Sequence, residues 1–239
     1  MNNCKKYKRI LIKLSGESFG NNNLLYDSEM LRRVAVGIVE SIKTCKLEIG
    51  IVVGAGNIWR GCEHNDIDNI KSDYIGMLGT AINTLLIGSM FEQLGARCVM
   101  QSSINMHPCI DMFNRNNADE ALSNGKIVIF ACGTGHPFFT TDTAAALRAS
   151  EVGADLLLKA TKVDGVYSKD PISLHEKVEK YNNISFDKML SMNLQVIDST
   201  ALQICKSNKI PIMILNFMNL DKLYNIFHGN NKELFTMIS

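Results

Sequence analysis

The sequence predicts an α/β fold: three layers, with a largely parallel central sheet and helices on both faces. Three observations carry this. Short apolar runs of strand type alternate with helical patterns along all 239 residues. The apolar fraction is 46%, ample for one large core. No linker, repeat or low-complexity tract divides the chain, so residues 1–239 read as a single domain.

The elements follow in order. RILIKL (Arg9–Leu14) reads as a buried strand. Leu31, Val34, Ala35, Ile38, Val39 and Ile42 then recur at helical spacing, with Asp27 or Ser28 as the N-cap. EIGIVV (Glu48–Val53) is the second strand. Asp73–Leu94 is apolar on most faces, which predicts a buried helix. RCVMQ (Arg97–Gln101) is the third strand, ADEAL a short helix and KIVIFA (Lys126–Ala131) the fourth strand. TDTAAALRASEVG opens on a good cap and ends in glycine, so both helix stops are marked. DLLLKA (Asp155–Ala160) is the fifth strand, and IPIMIL (Ile210–Leu215) a late one between helices near Asp198–Asn208 and Leu220–His228. Asp164–Ser185, with its Asp-Gly and Asp-Pro, reads as hairpins or a flap.

Composition narrows the function classes. Lys and Arg total 25 against 24 for Asp and Glu, a net charge of +1, which argues against a general nucleic-acid binder. Seven scattered cysteines without a CxxC pair make a disulfide framework or a structural zinc site unexpected and suit a reducing cytoplasm. MNNCKKYKR lacks the apolar core of a signal peptide, and no unbroken run of about 18 apolar residues predicts a membrane span.

Ligands of parallel sheets bind outside the carboxyl ends of the strands. Four unusual loops fall there: Lys13-Leu14-Ser15-Gly16-Glu17, Gly54-Ala55-Gly56-Asn57 with Arg60-Gly61, GTGHPFFTTD (Gly133–Asp142), and Lys159-Ala160-Thr161-Lys162 running into Asp164-Gly165. Together they offer glycine-freed backbone amides, helix N-termini and the cations Lys13, Arg60, Lys159 and Lys162, which is equipment for phosphates. Each also has a plainer explanation. Lys13 could snorkel to solvent, GAGN could be a tight turn, and Thr141 or Asp142 could be only a helix cap. Trp59 stands where a GxGxxG fingerprint needs its third glycine, and a Walker A sequence is absent.

KLSGE, GxGNxxRG, GTGxPFFTTD and KATKVDGVYxxDP, in this order, resemble bacterial uridylate kinases of the amino-acid kinase fold, and the resemblance covers essentially the whole chain. It implies an ATP-dependent, Mg2+-requiring transfer of phosphoryl to UMP in pyrimidine nucleotide synthesis. It also implies a cytoplasmic homohexamer inhibited by UTP and often activated by GTP. By position, Lys13, Leu14, Ser15, Gly16, Gly56, Arg60, Thr161, Tyr167 and Asp170 match the ATP side. Ala55, Asp73, Thr134, Gly135, His136, Pro137, Phe138, Phe139, Thr140 and Thr141 match the UMP side. Lys13, Arg60, Asp142 and Lys162 are the expected catalytic group, with Tyr167 as a stacking face for adenine and the two phenylalanines as a dry wall. No protein-built metal site is expected, and neither nucleic acid nor a membrane is an expected partner.

The chain departs from the family pattern in places. GAGN replaces GGGN, so the Ala55 methyl must fit beside UMP. The segment Phe19–Leu24 lacks the family's glycines, which leaves the GTP response open. The loop between Arg60 and Asp73 is short, and His136 replaces asparagine. Other kinases of this fold act on a carboxylate or carbamate, and some relatives store molybdenum. PFFTTD favours the uridylate branch.

Overall fold

A computed structural model of the chain describes residues 6–20, 24–61, 66–168, 179–192 and 194–239. The elements are β1 (Arg9–Leu14), α1 (Ser28–Cys45), β2 (Glu48–Val53), α2 (Asn69–Gln93), β3 (Cys98–Ser102), β4 (Asp111–Met112), α3 (Arg115–Ser123), β5 (Ile127–Ala131), α4 (Thr141–Glu151), β6 (Leu156–Thr161), β7 (Val166–Tyr167), β8 (Lys180–Tyr181), β9 (Asn183–Ile184), α5 (Phe186–Ser191), α6 (Ser199–Ser207), β10 (Ile212–Asn216), α7 (Leu223–Phe227) and β11 (Phe235–Ile238).

Nine strands form one sheet in the order β4-β3-β5-β2-β1-β6-β10-β11-β9. β11 runs antiparallel to β10, and the other pairings in this sheet are parallel. β7 and β8 make a separate antiparallel hairpin, the first of the two alternatives expected for the irregular segment. Period-two alternation sends successive strand residues to opposite faces. Ile10, Ile12 and Leu14 pack with α1, α2 and α7 on one side. Leu11 packs with α3, α4, α5 and α6 on the other. The predicted three layers are therefore present.

Element ends moved where side chains cap helices. Asp68 accepts from the Lys71 amide and starts α2 four residues before the expected Asp73. Asp27, not Ser28, caps α1 by accepting from the Met30 amide at 3.0 Å. Asn114 caps α3, so the short ADEAL helix gains a turn. By length and composition α2 is apolar enough to cross a membrane, yet half of its most apolar stretch is buried within the fold. Among the described residues Cys98, Cys109, Cys132 and Cys205 are free thiols, and Cys45 is disulfide-bonded.

Candidate functional site

The alternation that builds the core also places the cations. Lys13 shares a face with Leu11, and Lys159 with Leu157, so both point toward α4. The parallel register of β1 and β6 sets Lys13 directly beside Lys159. Two ammonium groups cannot be buried side by side without an anion. α4 supplies it through Asp142. Its Oδ1 lies 2.9 Å from Lys13 Nζ, and its Oδ2 accepts a hydrogen bond from Lys159 Nζ. All three residues are 8% exposed. Lys13 therefore does not snorkel to solvent.

Burial alone would push the Asp142 carboxyl up, but Lys13 and Lys159 overcome this and hold it below the usual carboxylate range. Burial lowers the Lys159 ammonium, and Asp142 offsets only part of that. Asp142 is not the helix cap. Thr140 takes that role, its hydroxyl accepting from the Asp142 and Thr143 amides at 3.1 and 3.2 Å. The cap leaves the Asp142 carboxylate for the lysines. Asp198, which caps α6, accepts from the Thr140 and Thr143 hydroxyls and ties the two helix N-termini together.

A second charge cluster lies nearer solvent. Glu17, in the 3-10 turn Gly16–Ser18, meets Arg60 Nη2 through Oε1 at 2.7 Å and Lys162 Nζ through Oε2 at 2.8 Å. Arg60 Nε also donates to the Gly56 carbonyl at 2.9 Å. The two glycine loops touch backbone to backbone here. A Cβ on Gly16 would sit 2.3 Å from the Gly56 nitrogen, so no larger residue fits.

Between these clusters and α2 lies a pocket of about 180 Å3. Ala55, Asp73, Thr134, Phe139 and Thr141, matched by resemblance to the UMP side, line it together with Gly56, matched to the ATP side. Trp59, Ser72, Gly76, Met77 and Thr80 also line it and were not foreseen. Ser72, Gly76 and Thr80 recur every fourth residue on α2, and that small-residue spacing was the available signal. Asn83 fixes the GAGN loop to α2 by donating to the Gly54 carbonyl at 2.7 Å and to Asn57 Oδ1 at 2.8 Å. Ala55 needs no positive φ, and its methyl packs onto Gly79 of α2.

Asp73 also holds the neighbouring loop, and several other expected residues stand apart from the pocket walls. Asp73 Oδ2 accepts from the Phe138 amide at 2.7 Å and so anchors the GTGHPFFTTD loop to α2. Phe138 itself has φ 69° and is 74% exposed. It walls off nothing here, and core packing does not explain it. Phe139 is half exposed but reaches the pocket. Gly135, His136, Pro137 and Thr140 shape the loop rather than the wall. The Leu14 side chain is in the core, and its carbonyl accepts from the Gly54 amide at 2.8 Å. Ser15 donates its amide to the Ala160 carbonyl at 3.3 Å, which joins the first loop to β6.

Thr161 ends β6, close to the hairpin. Tyr167 in the hairpin donates its hydroxyl to Asp164 at 2.6 Å, while Lys180 Nζ meets the other Asp164 oxygen at 2.8 Å. Burial and then the Asp164 carboxylate push the Tyr167 phenol up to about 12. Asp170, residues 21–23 of the altered segment and residues 62–65 of the short loop lie outside the described residues.

Glycine loops, helix N-termini and buried lysines at the carboxyl edge of a parallel sheet define an anion site suited to phosphoryl groups. The chain belongs to the amino acid kinase family, whose model matches residues 8–216. A uridylate kinase of Methylococcus capsulatus is 41% identical over 228 residues, which cover 94% of this chain and 95% of that protein. The crystal structure of a UMP kinase from Ureaplasma parvum superimposes with a TM-score of 0.90 at 33% identity, covering 97% of this chain and 98% of the other. A UMP kinase structure from Bacillus anthracis gives 0.91 at 32% identity, covering 98% and 96% respectively.

Proposed function

We propose that the chain transfers the γ-phosphoryl group of ATP to UMP, giving ADP and UDP, as one domain acting in pyrimidine nucleotide synthesis. The observation that carries this is the pocket between α2 and the GTGHPFFTTD loop, which opens beside both charge clusters through Gly56 and Thr141. In the transfer, an oxygen of the UMP phosphate forms a new bond to the γ-phosphorus. The bond from that phosphorus to the bridging oxygen breaks, and ADP leaves. A phosphate monoester has a second pKa of about 6, so the acceptor oxygen is already ionised near neutral pH and no general base is needed. Asp142 is held low by two lysines and is unsuited to taking a proton.

The proposed roles follow from position. Lys13 and Lys159 face the transferred group, and Asp142 holds them in place. Arg60 and Lys162 meet the outer phosphates, Arg60 with the planar fork that suits bidentate contact. Ala55, Asp73, Thr134, Phe139 and Thr141 receive UMP, with the rest of the loop from Gly135 to Thr140 supporting them. Gly16, Gly56 and Ser15 offer backbone and hydroxyl groups to ATP, and Thr161, Tyr167 and Asp170 belong on its adenosine side. Magnesium enters with ATP as part of the substrate. Among the described residues no group of three or more potential metal-binding side chains exists, and such nucleotide sites hold magnesium largely through phosphate oxygens.

Self-association as a homohexamer is part of the proposal. An exposed apolar stripe on α2, made by Ile70, Tyr74, Leu78, Ile82 and Leu85, supports it. Inhibition by UTP and a cytoplasmic location rest on the family resemblance.

ADP release with ATP and Mg2+, screened against UMP, CMP, dTMP, AMP, GMP, carbamate, glutamate and aspartate, tests the reading. Turnover with UMP alone supports it. Turnover with a carboxylate or carbamate keeps the fold and overturns the acceptor. ATP binding without turnover overturns the enzyme.

A further inference from the structure

Glu17 closes the KLSGE motif, and the resemblance gives it no role. Its surroundings do. Its Cγ packs beside Gly56, which fixes where the carboxylate can reach. Each carboxylate oxygen meets one cation, Arg60 at 2.7 Å and Lys162 at 2.8 Å. Two oxygens set against two cations is also how a phosphate would sit between them. The Glu17, Arg60 and Lys162 side chains are 29%, 40% and 59% exposed, so water reaches this cluster. Ion pairs that open to solvent are weak and exchange readily.

We propose that Glu17 is a positioning residue that acts as a stand-in anion. Its carboxylate keeps Arg60 and Lys162 ordered at the pocket edge until a nucleotide phosphate displaces it. The inference rests on the phosphoryl-transfer reading of the same site and deepens it. One consequence is selectivity. A singly charged carboxylate ligand competes with Glu17 on equal terms, whereas a multiply charged phosphate outcompetes it. This part of the site would therefore favour nucleotide phosphates over singly charged carboxylate ligands, and ordered cations would favour turnover over tight binding.

The test compares the unaltered chain with Glu17→Gln and Glu17→Asp in steady-state kinetics on ATP and UMP, with direct titration of ATP alongside. The Gln variant keeps the shape and loses the charge. Its KM for at least one nucleotide should fall about two- to five-fold, the scale of an exposed ion pair. Its kcat should fall as well, and Asp should restore both toward the starting values. A KM that stays level or rises in the Gln variant would show that Glu17 only props its turn and would overturn the proposal. Should the unaltered chain show no turnover, the phosphoryl-transfer reading fails on its own. The ATP titration then decides for Glu17: tighter binding by the Gln variant supports the stand-in role, and unchanged binding ends it.

Discussion

Two carboxylates at one edge of the sheet each bridge two cations, and they do so in opposite settings. Asp142 sits between Lys13 and Lys159 with all three side chains 10–11% exposed. Glu17 sits between Arg60 and Lys162 with every member open to water. The inner cluster is a permanent part of the fold, because a buried charge stripped of its partner is expensive. The outer cluster can be rearranged at small cost. The contrast suggests a division of labour. Fixed charges suit a group that must be held still during transfer, and exchangeable charges suit substrates that must come and go.

The largest effect that could break this comparison is expected from Asp142→Asn. It leaves two buried ammonium groups without an anion, and unfolding free energy should drop by about 3–5 kcal/mol. Denaturant titration measures this, and a loss below about 1 kcal/mol would mean that the inner cluster is not structurally fixed. Next comes the seat of the GAGN loop on α2, next to the outer cluster. A methyl on Gly79 would lie 2.9 Å from the Ala55 methyl. Gly79→Ala should therefore cost about 1–3 kcal/mol as overpacking, and adding Ala55→Gly should recover most of it. Independent, additive effects in a thermal unfolding series would refute that coupling.

Arg60→Ala probes the outer cluster. Its stability should stay within about 0.5 kcal/mol of the unaltered chain. Its KM for a nucleotide should rise roughly tenfold or more, the value of a charge-assisted phosphate contact. A large stability loss with unchanged KM would reverse the assignment of the two clusters. The smallest effect concerns acid. Asp142 is held below its ordinary value in the folded chain, so the unfolded chain takes up that proton first as the pH falls. The stability it contributes is fully present above about pH 4 and is lost as the pH falls through the lower folded value. Unfolding followed across that range should show a steeper acid limb in the unaltered chain than in Asp142→Asn.

Much of this was legible in the sequence, for physical reasons. Strands such as Arg9–Leu14 and Glu48–Val53 were found to the residue because local apolar runs determine them. The glycine loops were legible because close backbone approach leaves few alternatives to glycine, as Gly16 against Gly56 illustrates. Helix starts were less so, because capping side chains such as Asp68 and Thr140 set them. The partners of Asp142 were hidden, since they come from register between β1 and β6, strands far apart in sequence. Lys159 was counted among the edge cations, but nothing local distinguished it from Lys162, which is exposed. Phe138 misled because aromatic residues in a loop read as a wall, while its left-handed backbone turns it outward.

The most direct test of the central claim is the turnover number of Lys13→Ala at saturating ATP and UMP, with folding monitored in the same preparation. Lys159 still neutralises Asp142 in this variant, so most molecules should remain folded. The account predicts that kcat falls at least about a hundredfold, the scale of losing a preorganised charge in a transition state. A folded Lys13→Ala protein with near-normal kcat would contradict it and would move the phosphoryl-transfer centre away from the buried cluster.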